Sequence, residues 1–329
     1  MTLKTRAVWI SGLAVALILL GGVSSPAQSQ ARRVLKHESE RQELFHGHSM
    51  RFVPAWQGSA LLGVEDGNPS DEPVIFGLDR DGLIERIGFS FPGGRYISIY
   101  GLAGARDGTI AVICSAYGNE GQPGTFLARI APDRSRKIVV PLWPYSPKAV
   151  TVSPDGDMWT VGFTKTPDNQ ATAEYNVLKR FDPSGKLLTT TSLRARSGLV
   201  PPDAVETSVL RAGKDRVGWL TNAYEYIEFG LDGREIGRFQ PPPGSEPRAF
   251  GATLALGEDN DVLVGTGDSE AFRVWSLDRE KHSWNAVEMP GAKPAAWATL
   301  GFDGDRVVLV HNRSISGATV ARYTLSAAK

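Results

Sequence analysis

Three groups of residues in this chain have the types and spacing to do chemistry. His46-Gly47-His48 sets two imidazoles two positions apart, so an extended segment would turn both to one face, within reach of one metal ion. Two ligands are too few for a site, and His37, His282 and His311 are scattered, so solvated or capping histidines are the default. Asp203 and Glu206 are the acids nearest the segments read below as axial, and with the histidine pair they are what a metal-dependent hydrolase would draw on. Tyr100, Tyr145, Lys148, Arg248 and Trp297, with Arg95, Tyr96 and Phe250 beside them, mix aromatic faces with a few charges, a lining that suits a small ligand or a peptide end. Nucleophile elbows, zinc-helix motifs and phosphate-binding glycine loops are all missing from the sequence, which removes the commonest hydrolase and nucleotide readings. The lone Cys114, among Ala111, Val112 and Ile113, reads as a small buried hydrophobe.

What would position these residues is a repeat. Polar turn pairs fall at Gln57-Gly58, Asp107-Gly108, Asp155-Gly156, Lys214-Asp215, Asp259-Asn260 and Asp303-Gly304, roughly 44 to 59 residues apart, the period of a four-stranded propeller blade. A second series, Asp81-Gly82, Pro132-Asp133, Ser184-Gly185, Asp232-Gly233 and Arg279-Glu280, lies midway between them. Two tight turns per repeat imply two hairpins. The runs between are short, β-branched and aromatic, such as Thr109–Cys114, Met158–Phe163 and Arg306–Val310. Proline clusters mark one phase of the repeat, at Pro92, Pro144 with Pro147, Pro201-Pro202, Pro241-Pro242-Pro243, and Pro290 with Pro294. Proline cannot donate to a sheet ladder, so it belongs in the crossovers between blades.

The expected fold is all-β, a six-bladed propeller of four-stranded blades occupying 32–329 as a single domain. The last repeat supplies only three strands, so a segment from the N-terminal side, Arg33 to His37 or Glu43 to Phe45, should complete it.

Phe181-Asp182-Pro183-Ser184-Gly185-Lys186 and Val152-Ser153-Pro154-Asp155-Gly156, with the repeat around them, resemble the six-bladed propellers of the NHL-repeat and lactonase-like superfamily from about residue 45 onward. Some members resemble gluconolactonases, which hold a divalent metal in the central channel with glutamate, asparagine and aspartate. The inner-strand text here does not supply that set: it is mostly Gly, Ala, Ser and Thr, with Glu206 the one acid nearby, so the lactonase implication fails on its ligands.

Propeller topology puts the loops between second and third strands on the same face as the crossovers. Those loops carry Glu65, Asp66, Asp71, Glu72, Glu120, Asp168, Glu174, Glu225, Asp268 and Glu270 against Lys165 and Arg313, an acidic rim for a cation or a basic partner. The sequence thus implies a binding or scaffold module engaging a protein, peptide or small molecule at that face. The alternative is a metal-dependent hydrolase or lactonase at the channel mouth. No cofactor is evident, a divalent cation being the one to test. Lys plus Arg equals Asp plus Glu at 36 each, which gives no field for nucleic acid. Lys4 and Arg6, an apolar stretch from Ala7 to about Val23, and Ser29-Gln30-Ala31 read as a signal peptide over 1–31, hence a periplasmic or extracellular protein with no membrane span after cleavage. The alternative is tethering by an uncleaved anchor.

Overall fold

The computed structural model of the chain describes residues 33–44, 50–57, 60–65, 72–78, 83–117, 123–168, 177–192, 208–221, 223–245, 252–267, 272–290, 298–314 and 317–327. Every regular element among them is a β-strand. Strand β1 (Arg33–Leu44) precedes five antiparallel meanders of four strands and a last group of three. The meanders are β2–β5 (Met50–Gln57, Ala60–Glu65, Val74–Leu78, Leu83–Gly88) and β6–β9 (Arg95–Gly104, Ile110–Tyr117, Pro123–Ile130, Lys137–Pro141), followed by β10–β13 (Tyr145–Val152, Met158–Thr164, Val177–Phe181, Leu187–Ser192). Next come β14–β17 (Val209–Ala212, Arg216–Leu220, Tyr226–Gly230, Glu235–Phe239) and β18–β21 (Thr253–Leu256, Val262–Gly267, Phe272–Asp278, Ser283–Glu288). The last three strands are β22–β24 (Thr299–Asp303, Arg306–Ser314, Gly317–Ala327).

The hairpins form where the turn chemistry allows them. Gly108 and Gly156 sit at φ 88° and 86°, in the left-handed region where a side chain would be strained, and each closes the turn from the first to the second strand of its meander.

The first strands of successive meanders are neighbours: β2 with β6, then β10, β14, β18 and β22, and β22 returns to β2. This closed circle of inner strands makes the arrangement propeller-like. Hydrogen bonding groups the strands into four sheets of four and one of eight, in the order β18-β19-β20-β21-β1-β24-β23-β22, rather than the six separate sheets expected. The cause is β1. It runs antiparallel to β24 from Arg33↔Ala327 to Leu44↔Gly317, and its first two residues also pair in parallel with β21, Arg33↔Val287 and Val34↔Glu288. Two free strand edges that would otherwise face water meet there and satisfy each other.

The core lies between sheets rather than under one of them. Leu62, Val64 and Ile75 of the first meander pack on Ile99, Val112 and Cys114 of the second, and Trp159 and Val161 of the third on Leu210, Trp219 and Ile227 of the fourth. Leu61, Phe76 and Leu78 meet Val308, Val310 and Val320 where the circle closes. Arginines in outer-hairpin turns tie neighbours further. Arg134 donates to the Gly108 carbonyl at 2.7 Å in its own meander and to Glu85 of the preceding one at 2.8 Å. Arg279 repeats this with the Asn260 carbonyl at 2.7 Å and Glu228 of the preceding meander at 2.6 Å.

Candidate functional site

Three of the expected ligand residues come together on β6 and β10. Tyr100 is the extra residue of a bulge between Ile99 and Gly101, and Lys148 that of a bulge between Pro147 and Ala149. A bulge re-aims the side chain it carries, which no alternation rule predicts. The Lys148 ammonium lies 6.0 Å from the Tyr100 ring and 5.4 Å from that of Phe163, a cation held over aromatic faces. Tyr100 packs against the core cluster that contains Tyr145. Its hydroxyl is buried and has no hydrogen-bond partner among the described residues, and desolvation, with Cys114 nearby, raises its pKa far above the usual phenol value. Tyr145 is interior: its hydroxyl donates to the Val177 carbonyl at 3.0 Å and lies 3.2 Å from Thr160 Oγ1, and burial pushes its pKa up strongly. Tyr145 therefore serves packing and leaves Tyr100 and Lys148 as the polar pair. Asp203, Glu206, Arg248, Trp297, His46 and His48 lie outside the described residues.

Two of the four described rim acids are engaged by arginines. Asp66, Asp71, Glu120, Glu174, Asp268 and Glu270 lie outside the described residues. Of the described rim acids, Glu65 pairs with Arg86 and Glu225 with Arg238 at 3.0 Å, each within its own sheet, so two of the expected free charges are neutralised; Glu72 and Asp168 are exposed. Among the described residues no group of three or more His, Cys, Asp or Glu is placed to hold a metal ion, and no helix is long and apolar enough to cross a membrane.

A cavity of about 390 Å³ lies at the other end of the inner strands, on the hairpin side and not on the loop face singled out in the sequence. Residues at or just beyond the ends of β6, β10, β14, β18 and β22 line it, so four meanders and the last three-stranded group converge on it. Its charged residues are Arg106, Asp107, Arg211, Lys214, Glu258 and Asp259. Five of these stand on turns and are exposed; Arg211 alone is carried by a strand and is partly enclosed. Arg211 Nη1 donates to the Leu210 carbonyl at 2.9 Å. Arg211 is half-buried, and burial pulls its pKa down, to about 10. Arg106 forms an ion pair with Glu258. The sequence did hold a signal for Arg211: it stands in an inner-strand text otherwise built of small and apolar residues. What could not be read was that the strand ends there, at the cavity wall.

No protein-family model matches the chain, and no curated protein matches it in sequence. Solved structures are similar to it in fold. A protein of unknown function from Dyadobacter fermentans aligns at 13% identity and TM-score 0.52 over 90% of this chain and 98% of that one. A puromycin-hydrolyzing peptidase from Mycobacterium tuberculosis aligns at 14% identity and TM-score 0.50 over 86% of this chain and 44% of that one. A protein of unknown function from Bacteroides caccae aligns at 14% identity and TM-score 0.49 over 77% and 82%. At such identities the likeness concerns the fold, and nothing in it singles out NHL-repeat or lactonase-like proteins.

Proposed function

We propose that the chain is a binding module, a six-bladed propeller whose ligand sits at the axial end of the inner strands. In this reading the eight-stranded sheet counts as two blades joined edge to edge through β1, and residues 1–31 export the protein. The observation that carries it is the cavity of about 390 Å³ on which four meanders and the last three-stranded group converge. That volume falls within the range of small-molecule pockets, and apolar walls with a few fixed polar groups are their usual lining. A convergent cavity is where a radial fold brings side chains from distant sequence together, so it is the economical place for recognition. The loop face keeps a secondary part: the bulged pair Tyr100 and Lys148 gives the opposite half of the inner strands a polar feature of its own. Nothing among the described residues favours the metal-dependent hydrolase.

The test is a crystallographic fragment soak of the protein from residue 32 onward. Fragments concentrated at the Arg211 end of the inner strands, and displaced in Ala212→Trp, are the expected result. Fragments scattered over the surface, or absent from the cavity, would overturn the reading.

A further inference from the structure

The four-stranded sheets end outward in β5, β9, β13 and β17, each with one edge unpaired by any described strand. An unpaired edge is a template for a further strand, and proteins commonly blunt it with charge or proline. Three of these four strands do so. β5 carries Glu85 and Arg86, β9 carries Lys137 and Pro141, and β17 carries Glu235 and Arg238. β13 is Leu187, Leu188, Thr189, Thr190, Thr191 and Ser192, and has neither a charge nor a proline.

A bulge does not take their place. β5, β13 and β17 each hold one extra residue near their start, Ile84, Leu188 and Ile236, so bulging is common to charged and uncharged edges. In β13 it stops at Leu188 and leaves Thr189 to Ser192 in unbroken register with β12. Leu187 and Leu188 are 46% and 42% exposed, and Thr190 and Ser192 are exposed too. The cations on the strand behind are engaged: Lys179 lies 4.3 Å from the centre of the Tyr145 ring, and Arg180 Nε donates to Asp157 at 2.5 Å.

This composition singles out a second copy of the chain as the occupant. About a two-fold axis normal to the sheet an edge strand pairs with itself antiparallel, and residues on the same face stand opposite each other. Each charge on β5, β9 or β17 would then be drawn toward its own copy, and like charges across a ladder destabilise it. Centred on Thr190, β13 sets Thr190 against its copy, Thr189 against Thr191 and Leu188 against Ser192. Those are uncharged pairs, and Thr–Thr pairs stabilise a sheet.

We propose that two copies of this chain join through β13, edge to edge, into one continuous sheet. The fold already uses this solution internally, where β1 joins the edges of β21 and β24. A contact of this length buries less than the roughly 1,000 Å² of a lasting interface, so the dimer is weak and forms as concentration rises. The two-fold consumes the uncharged edge of both copies, so assembly stops at two.

The experiment is sedimentation velocity of the protein from residue 32 onward between about 5 and 500 μM, a span that brackets a weak pair. The expected result is a monomer that becomes a dimer with concentration, and association at least about tenfold weaker in Thr190→Lys, which sets like charges on the axis. Ile236→Lys, on the already charged edge of β17, should stay within about twofold of the parent. Thr190→Cys should form an intermolecular disulfide on mild oxidation, since facing residues of a ladder bring their Cα atoms to about 4.5–5.5 Å, whereas Cys114 is buried. Should Thr190→Lys not fold, the disulfide decides, and its absence would overturn the proposal. A parent that stays monomeric throughout, or a folded Thr190→Lys that associates as the parent does, would overturn it as well. Aggregates growing past the dimer would overturn the two-fold pairing.

Discussion

Glu228→Ala is expected to loosen the join between two meanders. The carboxylate is 3% exposed and accepts from Arg216 Nη1 at 2.9 Å, Arg279 Nη2 at 2.6 Å and the Tyr226 hydroxyl at 3.0 Å. Arg216 is on its own sheet, and Arg279 is on the outer hairpin of the next, so one carboxylate holds charges from both sides of a packing interface. Removing it takes the carboxylate from Arg279, while Arg216 keeps Asp215 at 2.8 Å. Breaking a buried pair from one side costs about 3–5 kcal/mol. The arginines are 15% and 30% exposed, so water reaches them in part and the expected cost falls to about 2–4 kcal/mol. With an unfolding entropy of about 2 cal/mol/K per residue over roughly 300 residues, a loss of about 3 kcal/mol lowers the melting temperature by about 5 °C. Calorimetry and urea unfolding near pH 7 would measure it, in a cycle with Arg279→Met. The pair should show coupling of at least about 1 kcal/mol. A Glu228→Ala protein within about 0.5 kcal/mol of the parent, or strict additivity with Arg279→Met, would refute the idea that this charge cluster joins the meanders.

Further expectations follow from single side chains. Tyr100→Phe removes a buried hydroxyl with no described partner and should be neutral or stabilising by up to about 1 kcal/mol, whereas Tyr145→Phe forfeits the bond to the Val177 carbonyl and should cost about 1–2 kcal/mol; urea unfolding of the two variants separates these cases. The Cys114 thiol is buried and its pKa is pushed up by desolvation to about 12, so thiol reagents at pH 8 should label it only at the rate of global unfolding, and rapid labelling of the native protein would contradict the packing. Desolvation raises the pKa of Asp157 despite its hydrogen bond from Arg180 Nε at 2.5 Å. Its folded pKa then exceeds the unfolded one, so its stabilising contribution is present below the unfolded pKa and is lost as pH rises through the folded pKa. Asp157→Asn should accordingly compare better with the parent at pH 7 than at pH 3, and an opposite trend in melting temperature would reject that sign.

Much of the fold was legible because hairpins are local. An Asp-Gly or Ser-Gly pair makes a positive φ cheap, and the turns at Gly108, Gly156, Gly185, Gly233 and Gly304 all adopt it. Pro92, Pro144, the Pro241–Pro243 run and Pro290 do lie between meanders, where they cost no ladder bond, whereas Pro147, expected there too, stands within β10 beside a bulge. The bond between β1 and β21 was not legible, since an edge contact of two residue pairs leaves no pattern in composition. The site was read less well than the fold. Tyr100 and Lys148 were named for lying on inner strands, but the bulges that aim them are decided by register, and Tyr145, chosen on the same ground, turned inward to the core.

By itself the sequence determined the repeat, the strand text and the turns, because each depends on backbone preferences within a few residues. Only the tertiary structure decided which end of the inner strands holds a cavity, that Arg211 lies in its wall, that Arg106 meets Glu258 across its mouth, and that Glu228 serves two meanders. These depend on closing the circle of inner strands, which brings together residues far apart in the chain whose local sequences carry no trace of one another.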